Sequence, residues 1–224
     1  MTTPVLLSWS GGKDAAWALY ELQQRDDLEV VALLSTLTEG YERSSMQGVR
    51  HEVLQAQAAA VGVPLLEAWI PQACDNAIYL QRMRSALDQA QRRWPGLATI
   101  AFGDLLLQDI RAWREQQYAA QGWHTLFPLF GRDTAALAQQ MIAAGLQAQL
   151  CCVDSQQLDA GFAGHAFDNR LLDQLPAAVD ACGENGEFHT CVSAGPMFRN
   201  PLPLHKGDTV LREGRYAYTD FALG

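Results

Sequence analysis

The chain has 224 residues, 49% hydrophobic and 18% charged; it is long enough to bury a core of its own, and this composition excludes a chain disordered throughout. Sixteen basic against 25 acidic residues give a formal charge of −9, which argues against a broad basic nucleic-acid face. The five cysteines form no Cys-x-x-Cys pair, and no apolar run approaches ~18 residues, so zinc knuckles, dithiol redox sites and membrane spans lose ground to a soluble, cytoplasmic enzyme, binding module or scaffold.

In chain order, Val5 to Leu7 reads as a short buried strand, and from Asp14 the apolar positions Ala15, Ala16, Leu19, Tyr20 and Leu22 take helical spacing. Val30 to Leu37 is a second strand, and Val49 to Val61 a helix stopped by Gly62 and Pro64. Pro64 to Ile70 gives a third strand. Asp75 then caps a helix whose face reads Tyr79, Met83, Ala86, Leu87, Ala90 and Trp94, with Arg82, Arg84, Arg92 and Arg93 as a solvated opposite face. Leu97 to Phe102 is a fourth strand running into Gly103-Asp104, followed after Asp109 by a helix through Trp113 and Tyr118. Alternation of this kind predicts a Rossmann-like, mainly parallel sheet with helices on both faces. Phe127 to Gly131 breaks the pattern, so residues 1–130 and 131–224 are expected to form a nucleotide-binding domain and a smaller α+β domain. In the second, Asp133 caps a helix ending at Gly145, Leu146 to Val153 is a strand with Cys151 and Cys152 as core residues, and Gly183 to Gly224 reads as loops and short strands.

Ser10-Gly11-Gly12-Lys13-Asp14 lies between the first strand and the first helix. Two glycines allow a sharp turn and bring bare N–H groups to a ligand, the helix N-terminus favours an anion there, and Lys13 adds a cation. A plain βα turn would need only the glycines. The spacing fits neither the Walker A loop nor G-x-G-x-x-G. Downstream, Gly183-Glu184-Asn185-Gly186-Glu187-Phe188-His189-Thr190 packs two carboxylates three residues apart on a glycine loop. Such a pair suits Mg2+, an amine or ammonium ion, or removal of a proton from an attacking nitrogen, where a plain acidic turn needs neither acid. His189 alone reads as a polar loop residue.

The first segment resembles the pyrophosphate loop, S-G-G-x-D-[ST], of the ATP-pyrophosphatase superfamily, except that Ala15 stands at the final hydroxyl position. Both segments together resemble the diphthine-ammonia ligase family, whose hallmarks are S-G-G-K-D and a distal G-E-x-G-E-[FY]-x-T. Phe102-Gly103-Asp104, Arg111, Glu115 and Phe127-Pro128-Leu129-Phe130 carry the likeness through the middle of the chain. The resemblance implies an ATP-dependent ligase that adenylates a carboxylate, releases pyrophosphate and forms an amide with ammonia. It implies that Ser10, Gly11, Gly12, Lys13 and Asp14 bind ATP and that Gly183, Glu184, Gly186, Glu187 and Thr190 line the substrate side. Gly103 and Asp104 sit at a strand's carboxyl end, with Asp104 a candidate Mg2+ ligand. Lys13 would neutralise pyrophosphate, with Glu187 the first choice and Glu184 the second for the base or ammonium-binding acid. The expected partners are ATP, Mg2+, a protein-borne or small-molecule carboxylate, and ammonia or a separate nitrogen donor, since no glutaminase segment is visible; a homo-oligomer is left open. Richness in Ala, Gln, Leu and Trp with few Lys fits a bacterial member with a different substrate. Two other readings are a tRNA-thiolating relative, which would bring cysteine pairs and a basic face, and a nucleotide sensor without catalysis, which Ala15 favours.

Overall fold

The computed structural model describes residues 2–224. Strand β1 (Thr3–Ser8) is followed by α1 (Lys13–Gln23), β2 (Leu28–Thr38), the two-residue β3 (Arg43–Ser44), α2 (His51–Val61), β4 (Leu65–Ile70), α3 (Asn76–Arg93), β5 (Thr99–Ala101), α4 (Gln108–Ala119) and β6 (His124–Leu126). Strands β6, β5, β1 and β2 are neighbours in that order, and β2 also pairs β4, all in parallel; β3 lies antiparallel against the end of β2. Alternation within β1 explains the layering. Val5 and Leu7 face a core with Trp17, Leu19 and Leu54 from α1 and α2, while Leu6 faces Met83, Leu87 and Tyr118 from α3 and α4. Each of these buried leucines contributes roughly 2 kcal/mol of transfer free energy.

The remainder comprises α5 (Thr134–Ala143), β7 (Gln147–Asp154), α6 (Asn169–Gln174), β8 (Phe188–Ala194), β9 (Leu204–Arg212) and β10 (Tyr216–Leu223). The last four strands form an antiparallel sheet in the order β8-β7-β10-β9. The fold class is therefore as expected: a mostly parallel sheet flanked by helices, with a smaller antiparallel sheet beside it. The two sheets share one core, in which Leu7, Trp9 and Trp17 meet Val153, Phe188 and Val192.

The expectation of short strands after Gly183 needs correction, because β8, β9 and β10 run for 7, 9 and 8 residues. Strand β9 hides from a pattern search because both its faces meet solvent, so it has no reason to alternate. Strand β6 also went unread; three residues, His124-Thr125-Leu126, offer no apolar run.

Since β1 connects through α1 to a neighbour on one side and β5 lies on its other side, the chain reverses its direction of growth between them. Ligands of open parallel sheets bind in the crevice this opens at the carboxyl ends of the strands. Ser10 to Asp14 leave β1 there, and Gly103-Asp104 leave β5 there.

Candidate active site

The glycines of the first loop are dictated by close packing. Gly11 has φ +81, and a Cβ there would lie 2.7 Å from the Leu54 side chain. A Cβ on Gly12 would lie 3.1 Å from the Thr190 carbonyl. Helix α1 opens on Gly12 without a side-chain cap. Among the described residues the N–H groups of Ser10, Gly11, Asp14 and Ala15 meet no acceptor, whereas Gly12 donates to Ser10 Oγ at 3.3 Å and Lys13 N–H to Thr190 Oγ1 at 3.0 Å. Unpaired donors at a helix N-terminus form an anion site.

Lys13 is 1% exposed. Its ammonium donates to both Asp14 oxygens at 2.9 Å and to the Cys182 carbonyl, and it lies 5.6 and 5.5 Å from the ring centres of Phe167 and Phe188. Burial, the largest single effect, pulls its pKa down, but the Asp14 carboxylate, with smaller attractions from Cys182 and Glu184, holds it above the ordinary lysine value. The lysine thus ties the first loop to the distal segment from beneath.

That segment is organised by its acids. Glu187, 2% exposed, accepts from Asp180 N–H at 2.9 Å, Asn185 N–H at 2.9 Å and Asn185 Nδ2 at 3.0 Å. Its oxygens are committed to the shape of their own loop. Glu184 instead reaches across to the turn after β5, where Oε1 accepts from Leu105 and Leu106 N–H, both at 2.9 Å. Its Oε2 has no hydrogen-bond partner among the described residues. Burial raises its pKa, the two N–H groups pull it down, and Asp14 pushes it up, for a net rise. Gly183, φ +69, is required because a Cβ would sit 2.7 Å from the Phe188 carbonyl; Gly186, φ +83, has open space around it. Thr190 is buried on β8, next to His189, whose pKa burial and nearby Lys13 lower to about 4.

Gly103 passes so close to α1 that a Cβ would stand 2.8 Å from the Asp14 carbonyl carbon. Asp104, which follows, has its pKa raised by burial against the opposing pull of Arg114. Arg114 Nε lies 2.9 Å from Asp104 Oδ2, yet off line, so neither buried atom completes a hydrogen bond there; a 3.4 Å contact joins Arg114 to Oδ1. Arg114 lies over Phe102 at 4.2 Å, and Arg111 lies over Phe127 and Phe130 at 5.1 and 4.5 Å while bonding Glu115 at 2.8 Å. The middle motif is therefore an arginine–aromatic wall beside the crevice.

Direct contacts thus join the first loop to Thr190 and Gly103 and join Glu184 to the turn after Asp104, whereas Gly186 has open space around it and Glu187 bonds only within its own segment. Three other residues belong to the site. Gln57, fully buried on α2, accepts from Trp9 Nε1 at 3.1 Å and donates to the carbonyls of Gly11 at 3.0 Å and Val192 at 2.7 Å. Its signal was legible: a lone amide on the buried stripe Val53, Leu54, Ala58, Val61. Asp180 accepts from Cys182 and Glu184 N–H. Arg114 and Asp180 carry no sequence pattern that marks them. The four buried cysteines, Cys151, Cys152, Cys182 and Cys191, are free, and burial pushes their thiols up, to about 11 at Cys152 and about 12 at Cys182 and Cys191, which makes them poor nucleophiles. Two surface clefts of about 550 and 490 Å³ meet around Gly62, Val63 and Pro64 and contain no motif residue.

Among the described residues no three His, Cys, Asp or Glu side chains form a metal centre on their own. Mg2+ needs less than that, being held by one or two carboxylates together with substrate phosphates. The two acids that could supply it are Asp104, whose Oδ2 makes no hydrogen bond although Arg114 Nε lies 2.9 Å away, and the neighbouring Asp14, whose oxygens accept from Lys13.

Comparison with known proteins agrees with this arrangement. Residues 1–122 match the diphthamide synthase N-terminal domain, and residues 133–218 match the diphthamide synthase C-terminal domain. The chain is 25% identical over 224 residues to the diphthine–ammonia ligase of Danio rerio, covering 90% of this chain and 86% of that protein. With both domain models matched in order and both motif segments facing one crevice, the chain belongs to the diphthamide synthase family.

Proposed function

We propose that this protein is an ATP-dependent ligase that activates a substrate carboxylate with release of pyrophosphate and couples it to ammonia, giving an amide and AMP. One observation carries the reading: the unpaired N–H groups of the Ser10 to Ala15 turn face a crevice closed by the acid-bearing Gly183 to Thr190 segment. The name of the Danio rerio relative, diphthine–ammonia ligase, supports ligation with ammonia as the nitrogen source.

In this reading the N–H groups of Ser10, Gly11, Asp14 and Ala15 bind the phosphates, and the Ser10 hydroxyl adds a donor. Asp104 and Asp14 would hold Mg2+, which would supply positive charge against the negative charge of the phosphates. Lys13 keeps a positive charge beneath the loop, where it offsets the same charge through the structure it supports. Glu184, with Oε2 unbonded and its pKa raised by burial, receives the proton of the attacking ammonia. Glu187 takes the role of a positioning residue, because three loop donors already hold it. The substrate carboxylate enters beside Gly103, Gly183, Gly186 and Thr190 and is borne by a protein or a small molecule.

The test is release of AMP and pyrophosphate from ATP and ammonium across a panel of carboxylates. Lys13→Ala and Glu184→Gln should each lower substrate-dependent AMP release about a hundredfold or more. Near-normal turnover in both variants overturns the assignment. A second reading, a nucleotide sensor, is favoured by the full engagement of the Lys13 ammonium and by Ala15 in place of a hydroxyl residue; ATP binding with no AMP from any carboxylate would select it.

A further inference from the structure

Strand β9 is the outer strand of the antiparallel sheet, paired only with β10. From His205 to Arg212 every residue is exposed, so solvent reaches both faces as well as the free edge. Val210 and Leu211 stand at 43% and 57% exposure. Proteins blunt such edges with lysine, glycine and bulges, and here those devices occupy one half only. Lys206 and Gly207 lie in it, and the register against β10 shifts between Thr219 and Phe221, so that Gly207 and Asp208 together oppose Asp220. Thr209 to Arg212 continue as a regular, unguarded edge.

We propose that this edge pairs with the same edge of a second copy of the chain, antiparallel, with Val210 opposite Val210 of the partner subunit. The register follows from backbone direction and charge. The Arg212 carbonyl accepts from Arg215 N–H across the hairpin, so residues 212 and 210 turn their N–H and C=O groups toward β10, while 211 and 209 present theirs outward. Centred on Val210, Thr209 and Leu211 of each copy form hydrogen-bonded pairs with Leu211 and Thr209 of the other. Asp208 of each copy then lies opposite Arg212 of the other, giving two cross-strand ion pairs. Neither residue has an ion-pair partner among the described residues. Other centres do worse: Asp208 would set two carboxylates face to face, Thr209 would set Lys206 against Arg212, Leu211 would put Asp208 opposite Gly214 and Arg212 opposite Val210 with no ion pair, and Gly207 falls on the bulge. The pairing joins two four-stranded sheets into one and leaves both crevices open, since Thr190 and Glu187 lie at the β8 end of the sheet.

Sedimentation equilibrium of the whole chain tests this, since the residues involved are exposed and their replacement spares the core. The expected result is a concentration-dependent rise to twice the 24.6 kDa chain mass. Asp208→Arg alone and Arg212→Asp alone should each weaken association about tenfold or more, and the double variant should restore it. A chain monomeric into the hundred-micromolar range, a dimer indifferent to both single reversals, or a double variant that does not recover would each overturn the proposal.

Discussion

Gln57 is the residue whose removal should tell most about how the site is held. A buried amide that bonds Trp9, Gly11 and Val192 at once strands the Trp9 Nε1–H when it is replaced and takes one donor from each of two carbonyls, of which Gly11 keeps the Val192 N–H at 2.9 Å. Gln57→Leu, of similar volume, should therefore cost about 2 kcal/mol in urea denaturation, within the range that an unsatisfied buried group costs. It should also weaken ATP binding, because the Gly11 carbonyl is then held by Val192 alone; unchanged stability would show that the loop is held by other means. The two glutamates of the distal segment make a related contrast. The sequence puts Glu187 first and Glu184 second as the reacting acid, whereas the hydrogen-bond partners separate a loop clasp at Glu187 from an acid that reaches across the crevice at Glu184.

At the scale of elements, caps and stops were well legible. Asp75 accepts from Ile78 N–H at 2.8 Å and Asp133 from Ala136 N–H at 2.7 Å, both at the positions their sequence implied. Asp75→Ala should lower stability by about 1 kcal/mol, readable as a downward shift in thermal midpoint. An unchanged midpoint would show that the first turn of α3 is held by its packing and not by the cap. Illegible elements were those without an apolar alternation to read: the three-residue β6, a partly exposed parallel neighbour of β5 at the edge of its sheet, and β9, exposed on both faces.

Across the whole molecule, a charged clamp joins the two sheets. Asp220 on β10 accepts from Arg43 at 2.8 Å and from Arg50 at 3.0 and 2.5 Å. The Arg50 and Arg43 bonds hold the Asp220 carboxyl well below the usual aspartate range. A depressed folded pKa contributes stability above the unfolded value near ~3.9, and loses it as pH falls toward the folded one. Asp220→Asn should thus cost about 1 kcal/mol at pH 7, a modest figure because the pair is partly solvated. The cost should shrink below about pH 4, as Asp220 of the unfolded wild-type chain takes up a proton while the folded carboxylate stays ionised, which favours unfolding of the wild type. Denaturant midpoints for the two proteins at pH 7 and pH 3 check this, and a gap that stays constant would show that Asp220 acts through packing alone.

By itself the sequence determined the parallel α/β class, the placing of the glycine turn between β1 and α1, the acid-bearing loop near residue 185, and the family these imply. Periodicity, caps and glycine spacing are local properties, and each is written within about a dozen residues. The tertiary structure alone decided that Lys13 bonds the Cys182 carbonyl, that Thr190 receives the first amide of α1, and that Glu184 grips the turn after β5. These contacts span from 78 to 177 residues of chain. No local pattern encodes them, because they arise only where the free end of one sheet's strands meets a loop of the other.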